Sequence, residues 1–410
     1  MSQRFDVLIV GAGHAGAQAA MAMRQRKFEG SIGLIGEEPE LPYDRPPLSK
    51  EYLSGEKPWE RLVFRTAEAW AERRIKLLPG LRVVEVDPVG KMVTTESGAS
   101  IGYGRLIWAA GGHARRMTCD GGDFIGVHTV RKRADVDRIM VELPSVEKVV
   151  VIGGGYIGLE AAAVLTKLGK HVTVIEARDR VLARVAGEPL SRFYEAEHRA
   201  HGVEIIFGKQ VSCIEGANGK VTSVAFADGR TLPAQLVIVG IGIVPAVDPL
   251  QAAGAETGNG VRVDTQCRTS IPDVFAIGDC AEHRNAFADH AWIRLESVQN
   301  ANDQATVAAA AIMGESLEYA ALPWFWSNQY DLKLQTVGLS SGFDDTVIRG
   351  DPSTRSFSVI YLREGKVIAL DCVNAVRDFT HGRLLVQNRV SPDRAALVDN
   401  SLPLKALVER

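Results

Sequence analysis

Two sets of residues in this 410-residue chain have the types and spacing needed to hold a phosphate-bearing ligand. The first is Gly11, Gly13 and Gly16 behind the apolar run FDVLIV, with Ala15 inside the turn and the acidic pair Glu37 and Glu38 after the next apolar run, SIGLIG. The second is Gly153, Gly155 and Gly158 in VVVIGGGYIGLE, with Tyr156 and Ile157 between them and Glu176 near the end of HVTVIEA. Where a strand turns onto a helix, the first glycine permits the tight turn. The second lets the backbone approach a pyrophosphate, and the third lets helix and strand pack closely. Free N–H groups and the helix dipole at that end favour an anion. An acid some 20 residues on accepts a hydrogen bond from a ribose hydroxyl. Two such units in one chain imply two dinucleotides.

The elements that must position these groups follow from the pattern. Phe5 to Val10 reads as a strand and AQAAMAMRQR as the helix it feeds. The segment EPELPYDRPPLSKEYL reads as an irregular loop stiffened by Pro46 and Pro47, able to hold Arg45 and Lys50 at little entropic cost, or equally as a solvated surface loop. Thr66 to Lys76 is predicted to be an amphipathic helix with Arg73 and Arg74 near its C-terminal end. Leu81 to Asp87 and Met92 to Thr95 form a hairpin around a Pro-Val-Gly turn, and Tyr103 to Gly112 is a buried strand. The second unit begins with the strand Lys148 to Ile152 and the helix Tyr156 to Leu168, closed by Gly169. From Gly202, VEIIFG, VTSVAFADGRTL and AQLVIVGIG suit antiparallel strands appended to a parallel sheet. Val261 to Arg268 and Asp273 to Ile277 add strands, and Ser297 to Met313 a helix. From Leu322 the chain changes to an aromatic opening, PWFWSNQY, short alternating strands and a last helix near Thr380 to Gln387. Trp324, Phe325 and Trp326 are as well suited to the core of that segment as to a ligand. The fold class is therefore α/β, two Rossmann-like dinucleotide-binding domains plus a C-terminal α+β domain. The expected boundaries are 1–115 with 245–321, 116–244, and 322–410.

Glu176 also bears on which ligand the second unit takes. A carboxylate there accepts from a 2′-hydroxyl and repels a 2′-phosphate, which favours NADH over NADPH, while Arg178 and Arg180 lie close enough to weaken that preference or are instead solvated surface charge. Composition excludes other classes of partner. With 46% hydrophobic and 24% charged residues and a net charge of -3, the chain has no electrostatic footprint for nucleic acid or an anionic membrane. No apolar run reaches the length of a membrane span, and Met1 to Arg4 lead directly into a core strand, so a cytoplasmic protein is expected. Cys119, Cys213, Cys267, Cys280 and Cys372 are widely spaced, without CxxC or zinc-ligand spacing, so neither a disulfide framework nor a metal site is expected.

GAGHAG with Glu37, PYDRPPLSK, GGGYIGLE with Glu176, VFAIGDCA and PWFWSNQY together carry a resemblance that covers nearly the whole chain. The sequence resembles the FAD-dependent NADH:ferredoxin reductases of bacterial oxygenase systems, the putidaredoxin reductase and biphenyl dioxygenase reductase type within the glutathione-reductase-like flavoproteins. The resemblance implies that Gly11, Gly13, Ala15, Gly16 and Glu37 hold the FAD adenosine diphosphate, with Arg45 and Lys50 beside the flavin and Asp279 on the ribitol chain. It implies that the helix starting at Val298 points at the flavin pyrimidine, that Trp326 lies against the isoalloxazine, and that Gly153, Gly155, Tyr156, Ile157 and Glu176 take NADH. Glu160 and Lys50 are the implied catalytic pair, Glu160 on the nicotinamide side. Val83, Ala109, Gly111, Arg115 and Gly242 complete the cofactor-binding set that the resemblance implies. Two positions depart from the family pattern. Ala110 stands where a threonine hydroxyl is usual, and Asn328 replaces an aspartate.

The cysteines narrow the reaction. Related disulfide reductases, peroxidases and CoA-disulfide reductases need cysteine beside the flavin early in the chain. Residues 38–52 contain none, and the first cysteine is Cys119. What the resemblance leaves is hydride transfer from NADH to FAD and single-electron transfer to a 2Fe-2S ferredoxin serving a P450 or a ring-hydroxylating dioxygenase. Arg65, Arg73, Arg74, Arg294 and Lys333 are candidate docking cations, although such residues are more often plain surface charge. Open alternatives are an NADH oxidase, a rubredoxin reductase, and a non-enzymatic flavoprotein whose partner binding responds to NADH.

Overall fold

The strands that carry the glycine turns are apolar on both faces, as parallel strands covered on both sides must be. The structure is a computed structural model, and it describes residues 3–408. The chain divides into two compact units. One comprises Met1–Arg45, Trp59–His113 and Val244–Pro323, the other Pro46–Pro58, Ala114–Ile243 and Trp324–Arg410.

In the first unit, β1 (Gln3–Val10) leads to α1 (His14–Gln25), β2 (Ile32–Ile35), the short α2 (Ala67–Glu72), β3 (Ile75–Leu78), β4 (Val83–Asp87), β5 (Met92–Thr95) and β6 (Ser100–Trp108). The sheet order is β3-β2-β1-β6-β5-β4, and the strand Val274–Ala276 also pairs with β6. β1 is central and parallel to both neighbours, with Val10 opposite Ile35 and Trp108. One face of the sheet is covered by α1 and the helix Val298–Ile312, which meet through small residues such as Ala19, Ala20, Ala305 and Ala308, all buried. The other face packs Tyr103, Trp108, Val247 and Leu250. Trp108 lies buried there because its indole N–H is donated to the Ala246 carbonyl at 2.6 Å.

In the second unit, β7 (Lys148–Ile152), α3 (Tyr156–Lys167) and β8 (His171–Glu176) form the second strand–helix–strand, followed by α4 (Glu188–Ala200). A five-stranded parallel sheet runs Glu204–Phe207, β8, β7, Leu236–Val239, Val127–His128. Beside it lies a three-stranded antiparallel sheet of Val211–Ala217, Lys220–Phe226 and Thr231–Pro233. The C-terminal segment is a five-stranded antiparallel sheet in the order β9 (Trp324–Gln329), β10 (Leu332–Gly338), Lys366–Val373, Ser356–Arg363, Asp345–Asp351. The helix Val376–Gln387 covers one face, close enough that a Cβ at Gly382 would stand 2.4 Å from Leu370 Cδ2.

Several local expectations are corrected. The helix expected over Thr66 to Lys76 ends at Glu72, because Arg74 turns left-handed at φ +53° and Ile75 leaves to pair with Ile32. The strand expected over Val261 to Arg268 stops at Val263. The Asp264 carboxylate accepts the Gln266 and Arg268 N–H groups at 2.8 and 2.9 Å, folding the chain into a turn. VEIIFG and AQLVIVGIG join the parallel sheet through partners distant in sequence, and only the segments between them are antiparallel. The strand expected over Tyr103 to Gly112 begins at Ser100 and ends at Trp108, and the last long helix begins at Val376. The proline-rich segment is not wholly irregular: Pro46–Ser49 form a turn of 3-10 helix with Pro47, Leu48 and Ser49 buried.

One buried carboxyl in the second unit sets a pH dependence. Asp371, 4% exposed, accepts the Tyr361 hydroxyl at 2.5 Å, and that hydroxyl accepts the Gly187 N–H at 2.9 Å. Burial pushes Asp371 from 3.8 up to about 7, against the lowering effect of the Tyr361 hydrogen bond. Both states are protonated below the unfolded value. Between there and about 7 the folded chain keeps a proton that the unfolded chain gives up, so this group's contribution to stability falls as pH rises through that window. Asp371→Asn keeps an acceptor for Tyr361 without ionising. Its Tm relative to the parent protein is therefore expected to rise between pH 5 and pH 7.5 in calorimetry, and a difference independent of pH would contradict the assignment.

Candidate functional site

The first glycine turn is built to the limit of close approach. Gly11 sits at φ +111°, and a Cβ there would lie 2.2 Å from the Ala109 carbonyl oxygen. One at Gly16 would lie 1.9 Å from the Gly11 carbonyl oxygen. Gly13 caps α1 with no side chain, leaving the helix N-terminus open, and Ala15 lies buried in the first turn against Gly278. Glu37 follows β2 and is exposed. Arg45 is paired with its neighbour Glu38, at 2.6 Å, and Glu38 also accepts the Tyr43 hydroxyl at 2.6 Å. The guanidinium packs over the Tyr43 ring at 4.9 Å and feels the charge of Asp279. Val83 opens β4 just after Leu81, whose N–H is donated to the Gly36 carbonyl at 2.8 Å. Gly111 turns at φ +63° and accepts the Ala246 N–H at 2.9 Å. Val298 is the first residue of its helix, capped by Ser297, whose hydroxyl accepts the Asn300 N–H at 3.1 Å. Gly11, Gly13, Ala15, Gly16, Glu37, Arg45, Val83, Ala109, Gly111, Asp279 and Val298 thus belong to one unit.

Arg294 corrects the docking set. Its side chain is 8% exposed, and its guanidinium is donated to the Asp279 carbonyl at 2.9 Å and paired with Glu296 at 2.8 Å, so it supports the Asp279 turn rather than the surface. Arg73 is likewise committed, donating to the Ala69 carbonyl at 2.8 Å.

The second turn repeats the first with one difference. Cβ atoms at Gly153 and Gly158 would stand 2.4 and 2.1 Å from backbone oxygens, whereas one at Gly155 would meet nothing within 4 Å. Gly155 caps α3, leaving that helix end open as well. Glu176 bridges the turn, accepting the Gly154 N–H at 2.8 Å and the Arg178 N–H at 2.9 Å. Ile157 is exposed at the start of α3, while Tyr156 is packed on Phe325 with ring centroids 4.7 Å apart, its phenol pushed well up by burial. The Arg115 N–H is donated to the Gly242 carbonyl at 2.9 Å, and Gly242, at φ +99°, also has open space where a Cβ would be.

Glu160, on α3, is 2% exposed. Its Oε2 accepts Lys50 Nζ at 2.9 Å and the Ser49 hydroxyl at 2.6 Å, and its Oε1 accepts the Ser327 hydroxyl at 2.7 Å. A buried carboxylate needs such donors, since an uncompensated buried charge is strongly destabilising. Sequence reasoning marked Lys50 and Glu160 but missed Ser49 and Ser327. The available signal was the alternation of β9, where Ser327 and Gln329 are buried while Trp324, Trp326 and Asn328 line an open groove with Lys333, Gln335 and Val376.

These features define a two-dinucleotide oxidoreductase, and the comparisons give its family. Residues 5–305 match the pyridine nucleotide-disulphide oxidoreductase family, and residues 324–408 match the reductase C-terminal family. The chain belongs to the pyridine nucleotide-disulphide oxidoreductases. It is 57% identical over 402 residues to a ferredoxin–NAD(P)+ reductase of a Sphingomonas species, covering 98% of this chain and 97% of that one. It is 58% identical over 404 residues, 98% of each chain, to the ferredoxin reductase subunit of the 5,5'-dehydrodivanillate O-demethylase of a Sphingobium species. A crystal structure of a covalent putidaredoxin reductase–putidaredoxin complex superposes with a TM-score of 0.94 at 39% identity, covering 99% of this chain and 98% of that one.

The family's cofactors are FAD and NAD(P)H. Two open helix ends behind tight glycine turns, each followed by an acid at the end of the next strand or two residues past it, fit two pyrophosphate-bearing dinucleotides. No helix among the described residues is long and apolar enough to cross a membrane. The glycine contacts separate fold from ligand. Gly16→Ala is expected to be purified depleted of FAD, because its Cβ collides with the turn. Gly155→Ala is expected to keep its FAD and Tm while raising the KM for NADH about tenfold, ~1.4 kcal/mol. Flavin absorbance and steady-state kinetics check both, and loss of FAD from Gly155→Ala would contradict the division.

Proposed function

We propose that this chain is an NADH-dependent ferredoxin reductase, passing electrons from NADH through FAD one at a time to a 2Fe-2S ferredoxin that serves a P450 or a ring-hydroxylating dioxygenase. The similarity to ferredoxin reductases along almost the full length of both chains, C-terminal segment included, carries this reading. FAD supplies the conversion of a two-electron hydride donor into single electrons for a one-electron acceptor. The protein's part is to bind, orient and exclude.

Residues 1–115 with 245–321 are the proposed FAD-binding domain, 116–244 the NADH-binding domain, and 322–410 the C-terminal α+β domain. The α1 N-terminus behind Gly11, Gly13 and Gly16 takes the FAD pyrophosphate, and Glu37 its ribose. Arg45, fixed by Glu38, and Asp279, fixed by Arg294, hold the flavin side. The α3 N-terminus takes the NADH pyrophosphate. Glu176, already anchored by two backbone N–H groups, presents a carboxylate that a 2′-phosphate would have to approach against its charge. The Lys50–Glu160 pair is the proposed catalytic element, holding one charged group of each sign in a fixed, largely buried setting. The five cysteines are free, and the thiols of Cys267, Cys280 and Cys372 are fully buried and pushed up by that burial, which supports electron transfer without a dithiol relay. A cytoplasmic location suits an enzyme that draws on NADH.

Anaerobic mixing of the NADH-reduced holoenzyme with a 2Fe-2S ferredoxin is expected to reduce the ferredoxin rapidly, followed by its visible absorbance. A reduced flavin that reoxidises only on admitting oxygen would overturn the reading. Glu176→Ala is expected to lower kcat/KM for NADH about tenfold, the scale of one hydrogen bond to a charged group, without an equal loss for NADPH. Equal losses with both nucleotides would remove Glu176 as the discriminator.

A further inference from the structure

The Glu160 carboxylate terminates a line of hydrogen bonds that none of these roles uses. Gln329 Nε2 lies 3.2 Å from Ser327 Oγ, Gln329 Oε1 lies 2.8 Å from His198 Nε2, and the Tyr330 hydroxyl lies 3.0 Å from His198 Nδ1. The His201 ring stacks on Tyr330 with centroids 3.7 Å apart, at the outer end of the line. Ser327, Gln329 and His198 are at most 1% exposed.

The direction of every bond follows from the acid. A carboxylate only accepts, so the single Ser327 proton is given to Glu160 Oε1, and the serine oxygen accepts from the Gln329 amide nitrogen. That choice turns Gln329 Oε1 toward His198, which must then carry its proton on Nε2. Nδ1 is left to accept from Tyr330. Burial lowers the His198 pKa to about 4, which keeps the ring neutral as this arrangement requires. Tyr330, His198, Gln329 and Ser327 therefore donate in one direction, toward a carboxylate whose other oxygen meets Lys50 and Ser49.

We propose that Ser327 is a positioning residue for the nicotinamide nucleotide. Held by Gln329 and His198, it fixes the rotation of the Glu160 carboxylate so that one oxygen faces Lys50. The inference rests on the reading that Lys50 and Glu160 serve NADH oxidation. Ser327→Ala removes the donor to Oε1 and leaves the Gln329 amide to compete for the acid. Ser327→Thr retains the hydroxyl, and Gln329→Leu cuts the line one bond further out with the serine still in place.

The test uses FAD-loaded protein and three readings: the NAD+ dissociation constant by calorimetry, the rate of flavin reduction by NADH, and electron delivery from dithionite-reduced enzyme to a 2Fe-2S ferredoxin. Ser327→Ala is expected to weaken NAD+ binding and slow reduction by NADH about tenfold, with delivery from the dithionite-reduced enzyme unchanged. Ser327→Thr should restore both, and Gln329→Leu should shift both in the same direction by less. Parental values in Ser327→Ala and Gln329→Leu overturn the proposal, as does an equal slowing of the two half-reactions, which a general loosening would cause. If the parent protein fails to reduce ferredoxin while the NAD+ and NADH readings behave as stated, the ferredoxin assignment falls and the positioning role stands.

Discussion

A carboxylate cannot be sealed inside a protein without groups to donate to it, and Glu160 is the place where this chain meets that demand. Removing one partner of such a buried pair costs about 3–5 kcal/mol, because the remaining charge is left uncompensated. The donors are Ser49 and Lys50 from the proline-stiffened segment and Ser327 from the first strand of the C-terminal sheet. They are 111, 110 and 167 residues from Glu160 in sequence, so satisfying one acid fixes three distant segments of the second unit. The 3-10 turn over Pro46–Ser49 is part of the same solution. Its prolines restrict the unfolded chain, and its turn delivers two consecutive donors to one oxygen.

The nucleotide turns solve a different problem, in which backbone rather than side chains meets the ligand. At Gly11, Gly16, Gly153 and Gly158 the approach of chain to chain leaves no room for a Cβ, and these glycines belong to the fold. At Gly155, whose φ is an ordinary -81°, there is room for a Cβ and the fold does not demand glycine, whereas Gly242 also has open space but is held to glycine by its φ of +99°. Charge is distributed in keeping with this. Arg45 and Arg294 are each paired with an acid and bear on Asp279, so these two cations are fixed in place.

The glycine turns, their strands and their acids were legible in the sequence because each depends on residues within some 25 positions of one another, so period and spacing record them. The alanine-rich helix Val298–Ile312 and the α3 boundaries were legible for the same reason. The expected helix over Thr66 to Lys76 failed where tertiary pairing overrode local pattern: Ile75 is worth more beside Ile32 than as another helical residue. Ser49 was invisible as a site residue and Ser327 was marked only by the alternation of its strand, since an isolated serine carries no mark of the acid it will meet more than a hundred residues away; Gln329 and His198 reach that acid only through Ser327.

If Lys50 and Glu160 act as one unit, losing either should lose what both provide. The direct measurement is a double-mutant cycle on the rate constant for flavin reduction by NADH, with Lys50→Met, Glu160→Gln and the two combined. The account predicts that the double variant is no slower than the slower single variant. Losses that multiply, so that the double variant is slower than either single by the full product of their effects, would show two independent residues and contradict it.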